Sequence, residues 1–170
     1  MKIKRKTVLA FCFFCTLSVP IFFAQAEQQC PVLYVSPDGV LSKDGRPYKA
    51  VGVNYFSALY RSILNPNDKS YVQGLNELAY YKVPFIRVML GGFWPDELKL
   101  YQNNPDLYFK VVDAFVNEAE KKDIGIVASL NWNFAAAADL VGEPASYVGK
   151  KGSKTQAFII KHAQDMVQRY

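Results

Sequence analysis

Cysteine is scarce in this chain. The three present are Cys12, Cys15 and Cys30, and the first two lie in an N-terminal stretch with the marks of a removable leader. One remaining cysteine cannot close an internal disulfide, which excludes a small cross-linked scaffold. Histidine is scarcer still. His162 stands alone, without a Cys or His neighbour at ligand spacing, so no metal is expected. Neither a Gly-x-Gly-x-x-Gly turn nor a P-loop occurs, and no cofactor is expected. Gly-x-Ser-x-Gly is missing too, which leaves a Ser–His–Asp triad without its nucleophile turn. Excess charge is nearly missing as well. Of the net +5, four charges are those of Lys2, Lys4, Arg5 and Lys6. The rest of the chain is close to neutral, so no nucleic-acid partner is implied.

Those four cations form the basic start of a secretory leader. Thr7 to Phe23 follows as an apolar run broken by Pro20, and Ala24-Gln25-Ala26 is a small-x-small cleavage site. Residues 1–26 are therefore read as a cleaved signal, with no stable membrane anchor and a secreted or periplasmic destination. Residues 27–170 have the length of one ordinary domain.

Along that domain, Asp38-Gly39 and Asp44-Gly45 predict a small hairpin, and 48–56 a first core strand. Ser57 to Asn67 reads as a loop. Tyr71, Val72, Leu75, Leu78 and Ala79 recur at helical spacing over 68–81. A short apolar strand follows at 83–90, then a brief helix over 96–102. Asn104-Pro105 caps a helix running to Lys122, striped by Tyr108, Val111, Val112, Phe115 and Ala119. Residues 124–130 are a third strand, and Asp139 and Gly142-Glu143-Pro144 are placed in a long loop. Ser153-x-x-Gln156 is a capping box opening a helix striped by Ile159, Ala163, Met166, Val167 and Tyr170.

Three strand–helix units in succession predict an α/β fold with a parallel sheet. One residue does not suit a buried strand. Arg87, in Val83-Pro84-Phe85-Ile86-Arg87-Val88-Met89-Leu90, is permanently charged and needs a partner. The turn after the first strand, Asn54-Tyr55-Phe56-Ser57-Ala58, has no glycine, which counts against a doubly wound nucleotide binder. Asn54, Tyr55, Arg87, Asn131, Trp132 and Asn133 instead collect in or at the C-terminal ends of the strands, with Phe93 and Trp94 close behind. In a TIM barrel that is the face that carries chemistry.

At these residues the chain resembles glycoside hydrolase family 5, the cellulase and mannanase family. The likeness runs through "-DGVLSKDGRPYKAVGVNYF-", "-VPFIRVML-" and "-IVASLNWNF-". It implies a partial (β/α) TIM barrel: the first three βα units, preceded by a small β-hairpin. It further implies retaining hydrolysis of a β-linked polysaccharide, mannan or glucan, by two glutamates. Arg87 would then support the nucleophile, and Asn54, Tyr55, Trp94, Asn131, Trp132 and Asn133 would line the sugar cleft. Two departures qualify the likeness. Asn131 and Asn133 stand where many members carry a histidine. The family's glutamates end its fourth and seventh strands, so this chain is expected to lack both and to be inactive alone.

Each residue also has a plainer reading. Arg87 suits a structural ion pair, the asparagines suit loop backbone, and the tryptophans suit core. Glu143 and Asp139 read as loop residues, Asp96 and Glu97 as the start of a surface helix, and Glu77, Glu118 and Glu120 as solvated. A non-catalytic carbohydrate-binding or scaffold protein using Trp94 and Trp132 is the main alternative, and a flavodoxin-like binder the next. Three parallel strands leave open edges, so self-association through uncovered barrel surface is expected.

Overall fold

The computed structural model describes residues 33–170; the leader assigned to 1–26, and Cys30, lie outside the described residues. The chain divides into two units, the first ending at Tyr48. In that unit β1 (Tyr34–Val35), β2 (Leu41–Lys43) and β3 (Arg46–Pro47) form an antiparallel meander. Asp44 and Gly45 both have positive φ, 53° and 74°, between the paired residues Lys43 and Arg46. That is the two-residue turn whose twist matches the flanking strands. The expected hairpin is thus present, extended by a third short strand.

The second unit holds the parallel sheet, in the order β4 (Val53–Asn54), β5 (Phe85–Met89) and β6 (Gly125–Ser129). Between β4 and β5 run α1 (Tyr60–Leu64) and α2 (Tyr71–Tyr80). Between β5 and β6 run α3 (Pro95–Asn103) and α4 (Pro105–Glu120). After β6 come α5 (Phe134–Val141), a 3₁₀ turn over Ala145–Gly149, and α6 (Lys154–Arg169). The chain is therefore α/β, with parallel strands joined through helices. Among the described residues, no helix is long and apolar enough to cross a membrane.

The core lies on one face of this sheet. Ile86 and Val88 are fully buried with Leu75 of α2 and Tyr108, Val112 and Phe115 of α4. All five stripe residues of α4 are buried. Each buried Val, Leu, Ile or Phe side chain among these contributes roughly 1.5–3 kcal/mol by leaving water. Asn104 caps α4 as expected, accepting from Leu107 N at 3.0 Å.

Four expectations need correction. The first core strand keeps only Val53–Asn54 of 48–56, because the ladder starts where Val53 meets Ile86. Ser57–Asn67 contains α1. The loop assigned to Asp139 is the helix α5. Its Phe134-Ala135-Ala136-Ala137-Ala138 start is rich in the best helix former, Asn133 caps it, and Gly142 ends it at φ 70°. Finally, α6 is rotated from its predicted stripe. Thr155, His162 and Met166 are buried, whereas Val167 is 75% exposed and Tyr170 is half exposed. This helix packs mainly on α5 and the 3₁₀ turn, so those neighbours choose its inner face. Its capping box is half reciprocal: Ser153 Oγ accepts from Gln156 N, and Gln156 Oε1 accepts from Gly152 N.

Candidate functional site

Side chains alternate across a strand, so residues aligned between neighbouring strands share a face. Asn54, Arg87 and Val127 are aligned across β4, β5 and β6, on the face opposite Ile86 and Ile126. The two faces differ sharply in burial: Ile86 is 0% exposed and Val127 48%. Arg87 thus stands on the open face, half-buried. Its Nε donates to Ser129 Oγ at 2.7 Å. The guanidinium lies 4.8 Å from the Trp132 ring centre and 5.4 Å from that of Phe56. Among the described residues no carboxylate forms an ion pair with it. Two ring faces and one hydroxyl hold the charge, each cation–π contact contributing on the order of 0.5–2 kcal/mol.

Around this arginine the strand ends build an aromatic wall. Phe56, Phe93 and Trp132 lie 6.2–6.5 Å apart in pairs. Phe93 meets Trp94 edge-on at 4.6 Å, and Trp94 stacks on Tyr60 at 4.3 Å. The Tyr60 hydroxyl donates to Asp96 Oδ2 at 3.1 Å. Backbone hydrogen bonds join the two turns that carry these rings. Trp132 N donates to Gly91 O at 3.4 Å and Asn133 N to Gly92 O at 3.0 Å. Trp132 remains half exposed and Phe93 about a third.

The sequence candidates divide between this wall and other tasks. Asn54 is exposed beside Arg87, and Trp94 and Trp132 are wall members. Tyr55 turns the other way: it packs with the helix-side core, and its hydroxyl meets α2 where Gly74 leaves room. Asn133 accepts from Ala135 N at 3.2 Å, the plainer capping role. Asn131 has φ +51°, and its Oδ1 is buried without a hydrogen-bond partner. Sequence reasoning misses Phe56 and Tyr60 as site members, and places Phe93 at the strand ends without assigning it to the sugar cleft. Their placement just after strand ends is the available signal.

Behind the Gly91–Trp94 turn lies a layer of buried polar groups. Glu97, expected on a surface, is 1% exposed. Its Oε2 accepts from Phe93 N at 3.2 Å and its Oε1 has no partner. Burial pushes this carboxyl up to about 7, opposed by the amides of Phe93, Trp94 and Gly92. His162 is fully buried against Gly91, where any Cβ would come within 2.4 Å of its Cε1. The Tyr108 hydroxyl donates to Leu90 O at 2.6 Å and lies 3.1 Å from His162 Nε2. With that proton committed to Leu90, Nε2 must be the donor and Nδ1 the bare nitrogen, which has no partner. Burial lowers His162 to about 4. Its neighbour Tyr101 stacks edge-on at 4.7 Å and donates to Asp165 at 2.6 Å.

Two further carboxylates, Glu143 and Glu118, have structural partners. Glu143 accepts from the amides of Lys154 and Thr155 and from the Thr155 hydroxyl, so it caps α6. Those hydrogen bonds hold its carboxyl below the usual range. Glu118 pairs with Lys121 and Lys122. Asp139 is exposed on α5. Among the described residues no three His, Cys, Asp or Glu side chains gather to hold a metal.

A groove of about 950 Å³ lies away from the wall, between α4, the free edge of β6 and the end of α6. Val116, Ile126, Leu130 and Val167 are among its apolar lining, and Asp113, Glu120 and Arg169 mark its polar side.

In comparisons with known proteins, no family model and no curated protein matches this chain. The chemistry of the site therefore rests on its own residues.

Proposed function

We propose that the three strand–helix units are those of a (β/α)₈ barrel of the glycoside hydrolase family 5 type, whose open face binds a β-linked polysaccharide of the mannan or glucan class. The observation that carries this reading is Arg87. It stands on the open face of a parallel sheet, between Asn54 and Val127, flanked by Phe56 and Trp132, with no carboxylate paired to it among the described residues. A half-exposed indole offers a flat apolar surface to a pyranose, and a neighbouring amide offers both a donor and acceptors to its hydroxyls. Arg87 would orient the nucleophile carboxylate through charge-assisted hydrogen bonds.

The parent reaction is hydrolysis of O-glycosidic bonds by two glutamates about 5–5.5 Å apart. Neither has a counterpart on β4, β5 or β6, whose residues include no Asp or Glu. The purified 170-residue chain is therefore expected to bind oligosaccharide without cleaving it. The same observation favours a second reading, a non-catalytic carbohydrate-binding or scaffold protein using the aromatic wall. Residues 1–26 act as a cleaved signal in either case, and the protein is secreted or periplasmic.

The free edge of β6 and the groove beside it favour self-association. The test of function pairs two assays on the purified chain: reducing-sugar release from mannan and from cellulose, and calorimetric titration with hexasaccharides of each. Saturable binding without release is expected. No binding to either sugar would sink the carbohydrate reading, and release at the rate of an intact hydrolase would sink the claim that the chemistry is missing.

A further inference from the structure

The Gly91–Trp94 turn carries two of the five rings of the wall, and a carboxyl group holds its backbone from behind. Glu97 is the third residue of α3, after the N-cap Trp94 and the first-turn Pro95. A glutamate at that position ordinarily reaches back to the free amides at the helix start from the surface. Here the same reach is made in the interior. One oxygen accepts from Phe93 N, and the other is buried without a partner. An ionised carboxylate with an unfilled oxygen is costly in such a place. A proton on that oxygen removes the charge that burial penalises and leaves Oε2 to accept from Phe93 N.

We propose that Glu97 is a positioning residue of the aromatic wall: protonated, it stays buried against Phe93 N and holds Phe93 and Trp94 in place, and once ionised its buried, unfilled oxygen draws water into the turn, which loosens and weakens ligand binding. The ligand half of this inference rests on the sugar-binding reading, whereas the response of the turn does not.

The surrounding groups leave Glu97 as the one that changes charge near neutral pH. On its own helix Asp96 adds to the rise of Glu97, and Lys99 pairs with Asp96. From α1 and α4, Tyr60 and Tyr108 feel the charge of Glu97, and both hydroxyls are held above their ordinary range, chiefly by burial. From α6, His162 lies against Gly91 and is lowered to about 4 by burial. The α5 residues packed with Leu98 are Ala136, Ala137 and Leu140, all apolar. Because the carboxyl is raised in the folded state, its contribution is complete below the unfolded value. It is lost as pH rises through about 7.

The test follows the near-ultraviolet circular dichroism of the purified chain from about pH 5.5 to 8.5, with Glu97→Gln beside the wild type, and titrates both with mannohexaose and cellohexaose at the two ends. The wild type is expected to show one sigmoidal loss of aromatic signal centred near 7, and about tenfold weaker binding at the alkaline end. Glu97→Gln, which cannot ionise, is expected to show neither. A flat wild-type signal, or the same sigmoid in Glu97→Gln, would overturn the proposal. Should the variant fail to fold, the carboxyl-carbon shift of Glu97 in the wild type decides: titration near 7 supports the proposal, and titration in the ordinary carboxylate range overturns it. An aromatic signal that titrates while neither hexasaccharide binds would support the positioning role and overturn the sugar reading.

Discussion

The two faces of the β4–β5–β6 sheet come from alternate residues of the same strands, yet they are built to different rules. On the helix side Ile86 and Val88 are fully buried with Tyr108, Val112 and Phe115. The buried Tyr108 hydroxyl there is paired with Leu90 O. On the other side Asn54 and Val127 are exposed and Arg87 is half-buried, and the rings that gather there pack on one another and on the guanidinium. The first face lowers the free energy of the fold. The second adds little to stability and keeps donors and ring faces available. Such a division is what a binding face on a rigid scaffold requires.

The division can be broken most forcefully from the helix side. Phe115→Ala should cost about 3–5 kcal/mol in urea unfolding, because its fully buried ring leaves a cavity. A loss under about 1 kcal/mol would mean the helix face is not the core it is taken to be.

His162 comes next. A buried imidazole whose folded value is lowered stabilises above its unfolded value, and that contribution is lost as pH falls through about 4. About 3 kcal/mol is at stake, since each tenfold change in proton affinity corresponds to about 1.4 kcal/mol. The stability advantage of the wild type over His162→Gln should therefore shrink as pH falls from about 7 to 4, because the Glu97 contribution is common to both proteins and cancels in the difference. Parallel curves would remove His162 as the cause. The limbs of His162 and Glu97 have opposite signs, so the fold should be most stable on the acid side of neutrality, between them.

Asn133→Ala should cost about 1 kcal/mol, the ordinary value of a helix cap, and should shift the ring signal because Trp132 is the preceding residue. A cost with no spectral change would separate the cap from the wall. Smallest of all, Val127→Thr on the open face should stay within about 0.5 kcal/mol of wild type. A larger loss would show that this face is covered in solution.

Much of the helix face is legible in the sequence, because burial leaves a periodic trace. The α4 stripe, the Asn104 cap and the Asp44-Gly45 turn are all local patterns with one physical cause each. The α6 stripe misleads because Val167 and Tyr170 are apolar in type but exposed, while His162 and Thr155 join Met166 as the buried members. Helix α5 escapes notice because the turn residues near its alanines give the stronger local signal. The open face is legible only in part. Arg87 announces itself as a charge in an apolar run, and Trp132 by its place at a strand end. Glu97 gives no such sign: a glutamate at a helix start is usually solvated, and only the packing of the Gly91–Trp94 turn against α3 puts it inside. Tyr55 sits in the same strand-end motif as Asn54, but the period-two alternation sends it to the helix side.

The most direct measurement is calorimetric titration of wild type and Trp132→Ala with mannohexaose and cellohexaose, with the urea midpoint of each taken on the same samples. Loss of binding in Trp132→Ala in a protein that still folds, destabilised by no more than its cation–π contact with Arg87, about 0.5–2 kcal/mol, is the expected result, since the indole is half exposed and contributes to the open face rather than the core. Binding that survives the substitution, or that disappears only as the protein unfolds, would contradict a binding role for this face.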